Sequence, residues 1–251
     1  MKRALIPILA VVVGLVMAPR AAAQTADEVV EKHLAAMGGR AALAKLTSQL
    51  ASGTIAIQAQ GADLGGTIEI SKKAPNKSRT LMRIDLSSVG GSEMVVDQRC
   101  DGKTAFASNS LQGDREITGA QLQSMLNASF PSSLLNYKET GAKIELLGRE
   151  TAGAKPVLVL QYTPASGPAL KLYLDADTYL VSRTVVKLSL PEAGGEVEQS
   201  TDVTDYRVID GVKTPFSVTV SSAGQLITSS VAKVEDNGAL DDAVFSRPGA
   251  K

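Results

Sequence analysis

Along this chain, apolar residues alternate with polar ones far more often than they recur at helical spacing. Ile55 and Ile57 alternate with small or polar neighbours, and Ile68 and Ile70 alternate with Thr67, Glu69 and Ser71. Thr80, Met82, Ile84 and Leu86 share one face, and Met94, Val96 and Gln98 repeat the pattern before Thr104-Ala105-Phe106. This period of two is the signature of half-buried strands. Turn chemistry separates the runs at Gly61–Gly66, Lys72–Lys77, Gly90-Gly91 and Asp101-Gly102, the last a strong two-residue hairpin signal. The rhythm resumes later, with Ile144–Leu146, Leu170–Asp175, Leu180–Leu190, Glu196–Ile209, Val212–Val220 and Gln225–Val234 reading as strands. Val157–Tyr162 is apolar with little alternation, which predicts a central strand buried on both faces. The tail from Asn237 to Lys251 shows no period. The pattern predicts a mainly β (α+β) domain: antiparallel hairpins in one strongly curved sheet, with short helices on one face.

Helical spacing occurs in two places. Thr25-Ala26-Asp27-Glu28 has the form of a capping box, in which Thr25 and Glu28 satisfy each other's backbone N–H groups. Val29, Val30, His33, Leu34 and Met37 then make one apolar face, Gly38-Gly39 ends the helix, and a second short helix covers Arg40–Leu46. The other place is Thr118–Tyr137, between the two blocks of strands. Leu122, Met125, Leu126 and Ser129 recur at helical spacing there. Pro131 suits the first turn of a further short helix through Leu134 and Leu135. This segment is expected to lie as a helical flap over the open face of the sheet.

Composition changes this picture mainly through the N-terminus. Lys2 and Arg3, an apolar run from Ala4 to Ala18 and small residues at Ala21-Ala22-Ala23 form a signal peptide pattern, with cleavage expected after Ala23. The run is short for a membrane span, and no cysteine stands near the cleavage site to carry a lipid. Residues 24–251 would form a single exported domain that keeps 23 of the 26 basic side chains against 26 acidic ones. That balance excludes a basic nucleic-acid binder. Cys100 is the only cysteine, so no internal disulfide forms.

The chemistry-bearing residues are sparse. The chain lacks HExxH, GxSxG, P-loop and dinucleotide signatures, and His33 is its one histidine. No enzyme activity, metal site or cofactor is therefore expected. His33 reads as a structural histidine and Cys100 as a buried, inert thiol. Asp175 with Asp177, and Asp241 with Asp242, lack the alternating oxygen ligands of a calcium loop and read as turn or surface carboxylates.

The chain also carries a set of longer motifs. They are Leu34-Ala35-Ala36-Met37-Gly38-Gly39-Arg40-Ala41-Ala42-Leu43, Ala74-Pro75-Asn76-Lys77, Asp101-Gly102, Lys171-Leu172-Tyr173-Leu174-Asp175 with Arg183, and the stretch from Asp205-Tyr206 through Asp210-Gly211 to Pro215-Phe216. Across nearly all of residues 24–251 this resembles bacterial periplasmic proteins of the LolA/LolB-like superfamily, the outer-membrane lipoprotein-sorting type. The resemblance implies an unclosed β-barrel of about eleven strands with helices over its open side. It also implies a cavity between sheet and helices that holds acyl chains.

Under that resemblance, the candidate cavity lining is Met82, Ile84, Met94, Val96, Phe106, Leu122, Met125, Leu126, Phe130 and Leu134. Ordinary core residues would give the same apolar pattern. Lys72, Lys73, Lys77 and Arg79 form a cationic hairpin tip, either a solvated turn or a dock for anionic head groups. Two functions stay open. One is a non-enzymatic carrier or chaperone for lipids or acylated lipoproteins, with an acyl lipid or lipoprotein and a membrane-associated donor or acceptor protein as partners. The other is an envelope interaction or sensing module without a lipid cargo. The chain is expected to act as a monomer.

Overall fold

The structure is a computed structural model that describes residues 24–59, 61–190 and 195–247; the expected signal peptide, residues 1–23, lies outside the described residues. Two helices come first, α1 (Ala26–Ala36) and α2 (Arg40–Leu43). Six strands follow: β1 (Ser48–Ala59), β2 (Ala62–Lys73), β3 (Lys77–Asp85), β4 (Glu93–Cys100), β5 (Ala105–Asn109) and β6 (Gly113–Ile117). After α3 (Gly119–Asn127) come β7 (Lys143–Ala152), β8 (Lys155–Thr163), β9 (Leu170–Asp175), β10 (Val181–Leu190), β11 (Gly195–Ile209), β12 (Val212–Ser222) and β13 (Gln225–Asp236).

All thirteen strands form one antiparallel sheet in the order β6-β5-β4-β3-β2-β1-β13-β12-β11-β10-β9-β8-β7. It consists of two meanders joined in the middle by β1 and β13. Its two edges, β6 and β7, do not pair, so the barrel is unclosed. The strand count exceeds the eleven implied by the resemblance. The segment from Thr118 to Ala142 carries the chain from one edge of the sheet to the other.

Register assigns each side chain to a face. Ile57, Ile227, Val220, Thr201, Thr184, Leu172 and Leu160 form one continuous cross-strand row, so a single face carries the apolar content. We call it the inner face. At one side, α1, α2 and the turns at Leu134–Ala142 pack on Leu158, Leu160, Tyr162, Leu172 and Leu174. On the other, α3 lies over Cys100, Ala105 and Ile117. Between them lies a cluster of Ile55, Ile57, Ile68 and Ile84 with half-buried Leu64, Ile70, Met82, Met94 and Val96.

Helix α1 forms as its sequence dictates. Glu28 N–H donates to Thr25 Oγ1 and Thr25 N–H to the Glu28 carboxylate, completing the capping box. Val29, Val30, His33 and Leu34 are all buried. Gly39 N–H donates to Leu34 O, and Lys213 N–H donates to Met37 O at 2.8 Å, pinning the helix end to the start of β12.

Two expectations change, and a third is extended. The segment after Pro131 consists of turns, not a second helix. β8 is buried on both faces, with Val157, Leu158, Val159 and Leu160 all inaccessible, yet it lies one strand from the edge rather than centrally. Helices cover its inner face, while a bulge at Gly148 bends β7 and brings the Glu150–Gly153 tip over its outer side. The tail is irregular but packed, with Phe245 buried.

Two glycines mark where the sheet curls most tightly. Gly53 and Gly66 are diagonal neighbours on the inner face of β1 and β2, where a Cβ would run into Ser230 O and Arg83 O respectively. Neighbouring Gly65 has open space where a Cβ would stand. Gly66→Ala is expected to destabilise the fold by about 2 kcal/mol or more. Gly65→Ala should stay within about 0.5 kcal/mol of the parent. Urea denaturation of both variants checks this; equal midpoints would refute the close approach.

Candidate functional site

The expected lining residues divide between faces. Register places Met82 opposite Val96 and Ile84 opposite Met94, all four on the inner face of β3 and β4. Ile84 is buried and the other three are half-buried. Among the described residues the cluster they belong to contains no helix residue. Leu122, Met125 and Leu126 are half-buried against Cys100, Ala105 and Ile117, and Gln98 Nε2 lies 3.7 Å from Met125 Sδ. Half-buried Phe130 and buried Leu134 join the cluster under α1 and α2.

Phe106 is a correction. It pairs with Arg99 and Glu116, which puts it on the outer face, where the Arg247 guanidinium lies 4.7 Å from its ring centroid. Its neighbour Ala105 faces inward instead.

The cationic tip is a second correction. Alternation along β2 and β3 sends Lys73, Lys77 and Arg79 to the outer face, where carboxylates meet them. Lys73 Nζ and Lys77 Nζ lie 2.8 and 2.7 Å from the Asp242 carboxylate, and Lys73 also donates to Leu240 O. Arg79 makes two hydrogen bonds to Asp97, which also accepts from Arg99. Arg99 in turn donates to Ser246 O. These side chains clamp the C-terminal segment onto the outer face. Lys72 points to the inner face and is not part of the clamp.

Electrostatics follow burial. Lys73 and Lys77 hold the exposed Asp242 carboxyl down at about 2. Burial would raise the Asp97 carboxyl, but hydrogen bonds from Arg79 and Arg99 outweigh that and keep it below the usual aspartate range. Desolvation holds His33 below its ordinary value, opposed by the hydrogen bond between its Nδ1 and Tyr179 O. Desolvation raises the Cys100 thiol. Asp175 caps its own turn by accepting from Asp177 N–H and Thr178 N–H, and Asp241 accepts from Ala243 N–H. Among the described residues no group of three His, Cys, Asp or Glu side chains could hold a metal ion.

The flap is tied down by polar contacts at each end. Phe130 N–H donates to Pro75 O at 2.7 Å and Asn76 Nδ2 to Leu126 O at 3.2 Å. On the far side, Asn127 Nδ2 donates to Ser166 O and Ser166 Oγ to Gln123 Oε1. The flap thus reaches from the β2–β3 turn to the β8–β9 loop. Beside it, α2, the Ala74-Pro75 turn and the Ser129–Asn136 turns enclose a crevice of about 450 Å³. A cleft of about 680 Å³ lies on the outer face, lined by Lys171, Tyr173, Arg183, Lys187 and Glu198.

This arrangement matches solved structures over most of its length. A LolA superfamily protein from Nitrosomonas europaea superposes with a TM-score of 0.56 at 13% identity, covering 90% of this chain and 99% of that one. The chain shares the fold of that protein. A DUF1329 family protein from Desulfovibrio piger gives a TM-score of 0.55 at 14% identity, over 88% of this chain and 97% of that one. A domain described as outer membrane lipoprotein-sorting, from Vibrio parahaemolyticus, gives 0.53 at 12% identity, over 87% and 94%. No family model and no curated protein sequence matches the chain. The inner face is the side on which nine of the ten expected lining residues fall.

The sequence reading passed over Gln49 and Asp236, which continue the row of Lys72 across β1 and β13. The signal was present in the alternation, since Ile68, Ile70 and Lys72 share one parity.

The depressed Asp97 carboxyl has a stability consequence. Its contribution is full at neutral pH and is lost as pH falls through the folded value, below about 3.9, the unfolded one. Asp97→Asn is expected to cost about 1–3 kcal/mol at pH 7. The gap to the parent should close in acid, as read by urea denaturation across a pH series.

Proposed function

We propose that the protein is a periplasmic, non-enzymatic carrier that takes up the acyl chains of a lipid or lipoprotein on its inner face, under the Thr118–Tyr137 flap. One observation carries this reading: Leu64, Ile70, Met82, Met94 and Val96 form a half-buried apolar surface between two helix-covered clusters, with no helix residue packed on it among the described residues. An apolar surface of this kind gains roughly 0.8 kcal/mol for each methylene it removes from water. Met82, Met94 and Met125 supply flexible, polarisable surface that adapts to an irregular chain. The LolA-type fold supports the same reading at the level of architecture.

The mechanism needs no bond chemistry. Helix α3 contains no fully buried residue, and lifting it uncovers only the small buried set Cys100, Ala105 and Ile117. Its Leu122, Met125 and Leu126 then close over the cargo. A docking protein at the donor or acceptor membrane would complete delivery.

Native mass spectrometry of the protein purified from a periplasmic extract tests this. The expected result is a chain beginning at Gln24 with a reproducible adduct that organic extraction resolves into acyl lipids. The double variant Met125→Asp, Leu126→Asp should stay folded and hold at least about tenfold less lipid, since each substitution sets a charge against the apolar face. A bare mass, unchanged after incubation with phospholipids and lipopeptides, would overturn the carrier reading in favour of a protein-interaction module. Uptake unchanged in the double variant would remove the flap's role.

A further inference from the structure

Lys72 is the last inner-face residue of β2, following Ile68 and Ile70 on that face. Its cross-strand row runs through Ser78, Cys100, Ala105 and Ile117 on one side. On the other side it runs through Gln49 to Asp236. Cys100, Ala105 and Ile117 are buried beneath Leu122, Met125 and Leu126. The flap crosses beside this row, bonded to Pro75 and Asn76 in the turn that Lys72 leads into.

Lys72 is exposed on the inner face, and among the described residues no carboxylate meets its ammonium. Desolvation alone lowers its pKa; no neighbouring charge or hydrogen bond contributes. The other three cations of its hairpin are matched by carboxylates on the outer face. At the far end of the row, Asp236 Oδ1 accepts from Gln49 Nε2 at 2.9 Å. Asp236 Oδ2 is buried with no partner among the described residues. One row of the inner face therefore holds a donor and an acceptor without partners among the described residues, and the buried acceptor is costly to leave unpaired. They stand two strands apart, about 9–10 Å between backbones. The pair does not close on itself, and an anion alone would meet the Asp236 carboxylate.

We propose that Lys72 and Asp236 form a head-group site for a zwitterionic aminophospholipid. The phosphate accepts from Lys72 Nζ, the ligand ammonium donates to Asp236 Oδ2, and Gln49 fixes the Asp236 carboxylate. The acyl chains then run along Ile70, Met82 and Val96. The site rests on the acyl-carrier reading above and adds to it the class of head group selected.

The test is competitive native mass spectrometry of the mature protein with equal amounts of dioctanoyl phosphatidylethanolamine, phosphatidylglycerol and diacylglycerol. Diacylglycerol uptake uses neither charge and so reports the integrity of the cavity in every variant. The parent protein is expected to prefer phosphatidylethanolamine over diacylglycerol by tenfold or more, and over phosphatidylglycerol by a smaller factor. Lys72→Met should remove the preference for both phospholipids over diacylglycerol, while Lys72→Arg keeps it. Asp236→Asn should bring phosphatidylglycerol level with phosphatidylethanolamine. Equal binding of all three by the parent, or an unchanged order in Lys72→Met and Asp236→Asn, overturns the head-group site and leaves the carrier reading standing. Retention of none of the three overturns both.

Discussion

The ladder between β1 and β13 holds this molecule together. Without it the chain would be two separate meanders, β1–β6 and β7–β13. With it, Gln49 to Ala59 pair with Asp236 back to Gln225, and the first and last strands become the centre of one sheet. This pairing is the longest-range one in the chain, so its loop-closure entropy is met only when both meanders are formed. It also sets the curvature. The ladder slips by one residue between Ser52 and Gly53, and a bulge of that kind increases local twist and bend. Gly53 and Gly66 then allow the neighbouring strands to crowd the inner face.

A sheet curled this way but left unclosed has two problems, its edges and its apolar inner face. The edges are protected by charge. β6 reads Gly113-Asp114-Arg115-Glu116-Ile117, and β7 carries Lys143, Glu145, Arg149 and Glu150 along with a bulge at Gly148. Both features discourage pairing with another chain. The inner face is handled differently along its width. α1, α2 and the Leu134–Ala142 turns cover β7–β9, and α3 covers β4–β6. The strip between them keeps half-buried side chains that a monomeric core would ordinarily bury.

Most of the architecture was legible in the alternation of single residues, because a strand's period of two is a local property. The hairpins, the capping box of α1 and the flap's helix could be read from neighbours within four residues. What was missed falls into two kinds. Phe106 and Lys72 were misplaced although parity was available: a two-residue turn at Asp101-Gly102 would still set Phe106 opposite Asp97, on the face away from Val96. The observed four-residue turn gives the same parity. Grouping Lys72 with Lys73 by proximity likewise ignored that adjacent strand residues face opposite ways. The second kind was not available. Nothing near Asp242, Ser246 or Arg247 in sequence indicates that they return to Lys73, Arg99 and Phe106. Those contacts depend on where the β1–β13 ladder delivers the tail.

The two coverings of the inner face differ in what it takes to remove them, and this confines motion to one place. Lifting α1 and α2 would expose Val29, Val30, Leu34 and Leu43, all fully buried, at roughly 1.5–3 kcal/mol each. It would also free the desolvated His33 and break the bonds of Asp27 to Tyr137 and Lys138. That sum is comparable to the stability of a whole domain. Lifting α3 exposes Leu122, Met125 and Leu126, already half-exposed, together with the small buried set Cys100, Ala105 and Ile117, and breaks a few hydrogen bonds, each contributing about 1 kcal/mol net. The flap is therefore the part of the cover that opens without unfolding the rest. Opening there, beside the β2–β3 turn, exposes the row that contains Lys72 before it exposes the cluster under α1. Under the proposed carrier reading, a ligand entering by this route would meet the charged end of the inner face first, with its chains following toward Met82 and Met94.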